Sequence, residues 1–257
     1  MDKLKIALVQ SHLHWENPEA NRSMFEAKIK SMPETVDLVI LPEMFTTGFT
    51  MKPQNIEVAE GEKTVDWMQN LARETKTAIT GSIVFSEKEK FFNRLFFVEP
   101  NGNSITYDKK HTFTLAGEDQ VYEAGSKKIT IEFKGFRFSP LICYDLRFPV
   151  WSRNVDDYDV LFYVANWPKP RIAAWDTLLK ARAIENMAYC IGVNRVGLDG
   201  LGYEYPGHTA AYDTLGNQLA FSNKEEILYV ELDREHIFTQ RNKLKFLQDR
   251  DRFNLQG

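Results

Sequence analysis

The chain has 257 residues, 43% of them hydrophobic, with only two cysteines. That is enough apolar material for a substantial core without disulfide staples, so one domain spanning 1–257 is the simplest expectation. The 32 basic and 36 acidic side chains nearly cancel, which argues against the strong positive field that nucleic acid or an anionic membrane requires.

Residues 3–10 (Lys-Leu-Lys-Ile-Ala-Leu-Val-Gln) alternate and then saturate with apolar side chains, predicting a strand that enters a covered sheet. Asn17-Pro18 opens a helix in which Met24, Phe25, Ile29 and Met32 recur at helical spacing until Pro33 ends the pattern. Residues 36–41 are a short β-branched strand closed by Pro42, with Glu43 directly after it. A carboxylate just past a buried strand reads as a desolvated base or, taken alone, as a solvated loop glutamate. Residues 62–75 predict an amphipathic cover helix, and 77–85, 91–99 and 104–107 predict antiparallel strands, with Asn101-Gly102 marking a hairpin.

The loop at 108–120 is long, rich in titratable groups and apolar in its middle, the character of a functional loop. Lys109 and Lys110 also read as a solvated basic pair, and no third ligand completes a metal site around His111. Residues 127–133 and 135–141 predict a hairpin that delivers Cys143. The apolar run 136–142 ends on that cysteine, and Phe148-Pro149 opens a short helix. A thiol at a strand-to-helix turn projects into a cleft with backbone N–H groups behind it; taken alone, it reads first as a small buried hydrophobe. Further strands are expected at 159–164, 189–195, 209–212, 218–221 and 227–232. Helices are expected at 172–187 and 234–240, a rim loop at 203–208 with a structural His208, and a charged, solvated tail at 249–252. Cys190 falls inside a strand and reads as structural.

Glu43, Lys109 and Cys143 carry more together than apart. The segments Leu41-Pro42-Glu43, Tyr107-Asp108-Lys109-Lys110-His111 and Ile142-Cys143-Tyr144-Asp145-Leu146-Arg147-Phe148-Pro149 resemble the nitrilase (carbon–nitrogen hydrolase) superfamily, whose members carry a Glu-Lys-Cys triad in this order. The family's Lys-x-His pattern selects Lys109 over Lys110. The resemblance continues through 165–168, 180–186 and 192–197. It implies an α/β fold, a four-layer α-β-β-α sandwich that usually dimerises, with no cofactor and no metal. It also implies that Cys143 attacks an amide carbonyl, that Glu43 relays protons, and that Lys109 and the Tyr144 N–H hold the oxyanion. Ammonia leaves, and a thioester is then hydrolysed. A second glutamate found in many family sites falls best on Glu118, with Glu123 as the alternative.

The run 165–171, the Arg-Ala-Ile-Glu-Asn helix and the Gly-Val-Asn-Arg-Val strand are most similar to the omega-amidase branch, which hydrolyses the terminal amides of 2-oxoglutaramate and 2-oxosuccinamate. Such substrates carry a carboxylate, so an arginine is expected to meet it: Arg147 first, Arg195 second. Arg147 also reads as an ion-pair partner bracing the turn. Phe45, Phe113, Trp167 and Tyr205 are candidate pocket walls. An amidase for another small amide, such as deaminated glutathione, and a non-catalytic binding member are the alternatives. No apolar run approaches the ~20 residues of a membrane span, and the first residues lack a signal-peptide core. A cytoplasmic homodimer acting on a small amide, without nucleic-acid or membrane partners, is the resulting expectation.

Overall fold

The computed structural model describes residues 2–33 and 35–254. In chain order the first half supplies β1 (Lys3–Gln10), α1 (Pro18–Lys30), β2 (Leu38–Ile40), α2 (Ala59–Thr75), β3 (Ala78–Glu87), β4 (Lys90–Val98) and β5 (Ser104–Asp108). The second half supplies β6 (Ile131–Phe133), β7 (Phe136–Ile142), α3 (Pro149–Ser152), β8 (Val160–Ala165), α4 (Ile172–Asn186) and β9 (Tyr189–Asn194). It closes with β10 (Val196–Leu198), β11 (Glu204–Pro206), β12 (Thr209–Tyr212), β13 (Gln218–Ser222), β14 (Glu226–Asp233) and α5 (Arg234–Leu244).

Two mixed sheets result, ordered β14-β1-β2-β3-β4-β5 and β13-β12-β9-β8-β7-β6. Each is parallel at its centre, β1-β2-β3 in one and β7-β8-β9 in the other. Strand alternation sorts the side chains between two cores. Leu4, Ile6 and Leu8 of β1 point between the sheets and meet Phe136, Phe138 and their neighbours. Ala7 and Val9 point the other way, onto Phe25 and Ile29 of α1 and Met68 and Leu71 of α2. On the outer face of the second sheet, Trp175 and Leu179 of α4 press on Gly192 of β9, where a Cβ would lie 2.5 Å from both side chains. The layers are therefore α, β, β, α.

Local chemistry explains the ends of the elements. Asn17 caps α1 by accepting from the Ala20 N–H, and Pro18 occupies the first turn, where no donor is needed. The segment at 203–208 is not a plain rim loop: Glu204–Pro206 pairs antiparallel with Val196–Leu198 as a two-stranded ribbon. The partner strand lies beyond the Asp199-Gly200 turn, so local composition does not announce the pairing. The second strand is shorter than expected, because only Leu38–Ile40 pairs on both sides. The charged tail is partly tied down, with Arg250 on Asp157 at 2.7 Å.

Parallel strands in both sheets send their carboxyl ends to one side, the usual location of a cleft in α/β architecture. Glu43 follows β2, Cys143 follows β7 and Asn166 follows β8.

Candidate active site

Cys143 is the first residue after β7 and adopts φ +45°, in the left-handed region that a non-glycine residue enters only when its surroundings dictate it. Asp145, two residues on and fully buried, holds this turn. Its carboxylate accepts from the Ile142 N–H at 3.0 Å, from the His111 N–H at 3.0 Å and from the Tyr107 hydroxyl at 2.8 Å. The His111 Nδ1 lies 2.7 Å from the same carboxylate, and its ring stacks on Phe148 at 3.6 Å. His111 is thus part of the brace, and among the described residues no cluster of metal-ligating side chains exists. Sequence reasoning did not find Asp145; its one signal is an acid inside an otherwise apolar turn.

Lys109 leaves the end of β5 with its backbone clamped. Its N–H donates to the Asn93 carbonyl at 3.0 Å, and its carbonyl accepts from the Gly125 N–H at 2.8 Å. The approach at Gly125 admits only glycine, since a Cβ there would lie 2.1 Å from the Asp108 carbonyl oxygen. The clamped lysine turns inward, and its Nζ sits 2.9 Å from Glu43 Oε1 and 2.8 Å from Glu118 Oε2. All three side chains are 1% exposed or less. Asn93 of β4 spans the same two carboxylates, with its Nδ2 at 2.8 Å from Glu43 and 3.2 Å from Glu118. Asn93 was also missed from sequence, although a lone amide in the run Phe91-Phe92-Asn93-Arg94-Leu95-Phe96 is the kind of signal that marks an inward polar group.

Glu43 is fixed further by Asn166, whose N–H donates to Oε2 at 2.8 Å and whose side-chain amide donates to the Glu43 carbonyl at 2.6 Å. The Cys143 Sγ lies 4.0 Å from the Asn166 carbonyl oxygen and against Glu43. Glu118 lies in a short helical turn after Gly117, and its carboxylate accepts from the Phe113 N–H. Glu123 is exposed and pairs with Lys90, so Glu118 is the glutamate beside Lys109.

Burial alone pulls the Lys109 ammonium toward neutrality, but the charges of Glu118 and Glu43 outweigh it and hold its pKa above the ordinary lysine value. Burial pushes the Glu118 carboxyl up, with Lys109 opposing and Glu43 reinforcing. Burial also pushes the Cys143 thiol well up, and the negative charges of Glu43 and Glu118 add to that against the pull of Lys109. The arrangement is a thiol with a carboxylate at hand to take its proton and an ammonium beside both, all three buried.

Cys143 and Lys109 open on a cavity of about 360 Å³ that Phe113, Tyr144, Arg147, Trp167 and Tyr205 also line. Arg147 is exposed and lies with its Cζ 5.2 Å from the Trp167 ring; among the described residues it has no acidic partner, so bracing of the turn falls to Asp145 instead. Arg195 does not line the cavity. It is fully buried, donates to the Leu198 carbonyl at 2.9 Å and lies 4.7 Å from the Tyr205 ring, holding the β10–β11 ribbon. Phe45 is likewise no pocket wall: it is fully buried between Phe25 and Trp67 on the α1–α2 side. His208 pairs with Asp176 at 3.0 Å, away from the cavity lining. Cys190 is buried, and burial pushes its thiol pKa up.

Comparison with known proteins meets this geometry. A carbon-nitrogen hydrolase family profile matches residues 5–242. The chain belongs to the carbon–nitrogen hydrolase family. It is 41% identical over 257 residues to the omega-amidase YafV of Yersinia enterocolitica, covering 99% of this chain and 100% of that protein. It is 31% identical over 253 residues to the 2-oxoglutaramate amidase of Bacillus subtilis, covering 96% of this chain and 97% of that one. A carbon–nitrogen hydrolase superfamily protein of Xanthomonas campestris, with an arsenic adduct in its active site, superposes with a TM-score of 0.96 at 38% identity, each chain fully covered. Within the carbon–nitrogen hydrolases this protein is therefore an amidase. Among the described residues no helix is long and apolar enough to cross a membrane.

Proposed function

We propose that the protein is an omega-amidase that hydrolyses the terminal amide of a short 2-oxo acid, such as 2-oxoglutaramate or 2-oxosuccinamate, through a thioester on Cys143. The observation that carries this reading is the single buried constellation in which Lys109 bridges Glu43 and Glu118 beside the Cys143 thiol. Because the resting thiol is protonated, attack needs a base at the moment of reaction. Glu43 takes the thiol proton as the sulfur bonds to the amide carbon. The carbonyl oxygen gains negative charge and is met by the Lys109 ammonium and the Tyr144 N–H, donors fixed in advance of the reaction. The intermediate collapses by breaking the C–N bond, and the proton on Glu43 goes to the departing ammonia. Glu43 then deprotonates a water that attacks the thioester, and the thiolate leaves and regains a proton. Glu118 holds Lys109 in place and balances its charge throughout. Arg147, exposed at the cavity and unpaired among the described residues, meets the carboxylate of the substrate.

The likeness to whole-length omega-amidases supports the choice of substrate, and a homodimer working in the cytoplasm belongs to the same proposal. Ammonia release from 2-oxoglutaramate, glutamine and deaminated glutathione tests it, with the intact protein and Cys143→Ala side by side. Rapid release from the 2-oxo acid amide alone, lost in the variant, is the expected result. Release from glutamine or deaminated glutathione in preference would sink the substrate assignment. Sedimentation of the purified protein at the mass of one chain would remove the dimer.

A further inference from the structure

Four charged side chains line the cavity: Lys109, Arg147, Arg171 and Asp199. Two of them are already spoken for. Lys109 is bound by Glu43 and Glu118. The Asp199 carboxylate accepts from the Leu201 N–H, the Tyr203 N–H and the Tyr205 hydroxyl, each at 2.9 Å, so its charge is spent on the turn of the β10–β11 ribbon. The two guanidiniums remain, and among the described residues neither has an acidic partner.

Each rests on an aromatic ring of the lining. The Arg147 Cζ lies 5.2 Å from the Trp167 ring, and the Arg171 Cζ lies 4.9 Å from the Phe113 ring. Trp167 serves both, because its Nε1 donates to the Arg171 carbonyl at 2.8 Å while its face carries Arg147. Phe113 packs edge-on against Tyr144, the residue next to the nucleophile, at 4.9 Å. Arg171 therefore reaches from the connection before α4 across to the wall beside Cys143. Stacking on a ring leaves the N–H edge of a guanidinium free, and that edge is what binds a carboxylate in a fork.

We propose that Arg171 is a second recognition residue for the anionic end of the substrate, forming with Arg147 a two-guanidinium clamp for a 2-oxo carboxylate. The clamp rests on the reading of Arg147 given above, and it sharpens the specificity to amides whose far end carries both a carboxylate and a neighbouring oxo oxygen. Two forks around one such group supply more donors than a plain carboxylate needs, and a neutral amide of equal length has nothing to offer either of them. Neither arginine touches the reacting bond, so both act on binding and orientation.

The test compares 2-oxoglutaramate with pentanamide, a neutral amide of the same chain length, in the intact protein, Arg171→Met, Arg171→Lys and Arg147→Met. Lys169→Met is the control, since Lys169 is exposed on the same connection and pairs with Glu204 outside the cavity lining. Arg171→Met keeps an apolar stem against Phe113 and should raise KM for the 2-oxo acid amide roughly tenfold or more, with kcat and the neutral amide much less affected. Arg171→Lys, which keeps charge but loses the fork, should fall between. Equal effects on the two amides, or no effect on either, would overturn the proposal. Calorimetric binding of 2-oxoglutarate to Cys143→Ala, with and without Arg171→Met, separates this idea from the assigned reaction. Weaker binding in the double variant supports the clamp even if the intact protein releases no ammonia; unchanged binding overturns it even if turnover is fast.

Discussion

Lys109 and Arg171 are both cations at one cavity, yet they are held in opposite ways. Lys109 is sealed at 1% exposure and bound by two carboxylates, whereas Arg171 is half-buried, rests on an aromatic ring and has no acidic partner among the described residues. The difference follows from dielectric. A buried charge without a counter-charge costs several kcal/mol, so the deep site must arrive fully paired. A guanidinium at the mouth keeps its water, stays charged and remains free to meet a ligand. On the proposed mechanism, chemistry is lodged where groups are buried and paired, and selection where side chains reach solvent and have no acidic partner among the described residues.

This contrast sets the order of the expected effects. Cys143→Ala should lower ammonia release by about a thousandfold or more, because no other nucleophile is at hand. Residual turnover within tenfold of the intact protein would remove the thiol from the mechanism. Lys109→Met should abolish activity and also lower stability by roughly 3–5 kcal/mol, since it leaves Glu43 and Glu118 buried side by side. Urea titration checks this, and an unchanged midpoint would mean that the two carboxylates share a proton in the folded state.

Asp145→Ala removes the acceptor of the Ile142 and His111 N–H groups and of the Tyr107 hydroxyl. It should cost about 3 kcal/mol and cut kcat while sparing KM, as expected of a group that positions the elbow. A drop in stability with full kcat would restrict Asp145 to a structural part. At the mouth, Arg147→Met should leave the unfolding midpoint within about 0.5 kcal/mol of the parent while raising KM for 2-oxoglutaramate; a large loss of stability would contradict the view of Arg147 as an uncommitted cation.

The smallest effect concerns pH. The folded Cys143 thiol keeps its proton above the ordinary thiol value, whereas the unfolded chain releases it near pH ~8.5. The folded state then binds more protons, so stability is complete below that pH and declines as pH rises above it. Lys109 acts in the same sense from about pH 10.4 upward. The thermal midpoint should therefore fall at alkaline pH, and less steeply in Cys143→Ala. An identical slope in the variant would mean that the thiol is already ionised in the folded protein.

Much of this was legible before folding. Residues 3–10 and 136–142 saturate with apolar side chains and form β1 and β7 with those bounds, and the expected helix at 172–187 is α4 but for its last residue. Glu43, Lys109 and Cys143 were legible because each follows a strand and the three together match the motif of a known family, which none of them does alone. Asn93 and Asp145 were not, since a polar residue inside an apolar segment has many uses and only its partners choose among them. Arg195 and Phe45 went astray for the same reason. Position in the chain does not say which face of an element looks into the cavity.

By itself the sequence placed most of the strands and helices, because periodicity and local breakers act over a few positions; the sandwich class and the set Glu43, Lys109 and Cys143 came from the resemblance of its motifs to a known family. The tertiary structure alone decided that Asn93 and Lys109 each bridge the two carboxylates, that Glu118 and not its alternative Glu123 stands beside Lys109, and that Arg171 rests on Phe113. Those contacts join side chains from separate strands and loops, and they exist only in the folded chain, where segments far apart in sequence lie side by side.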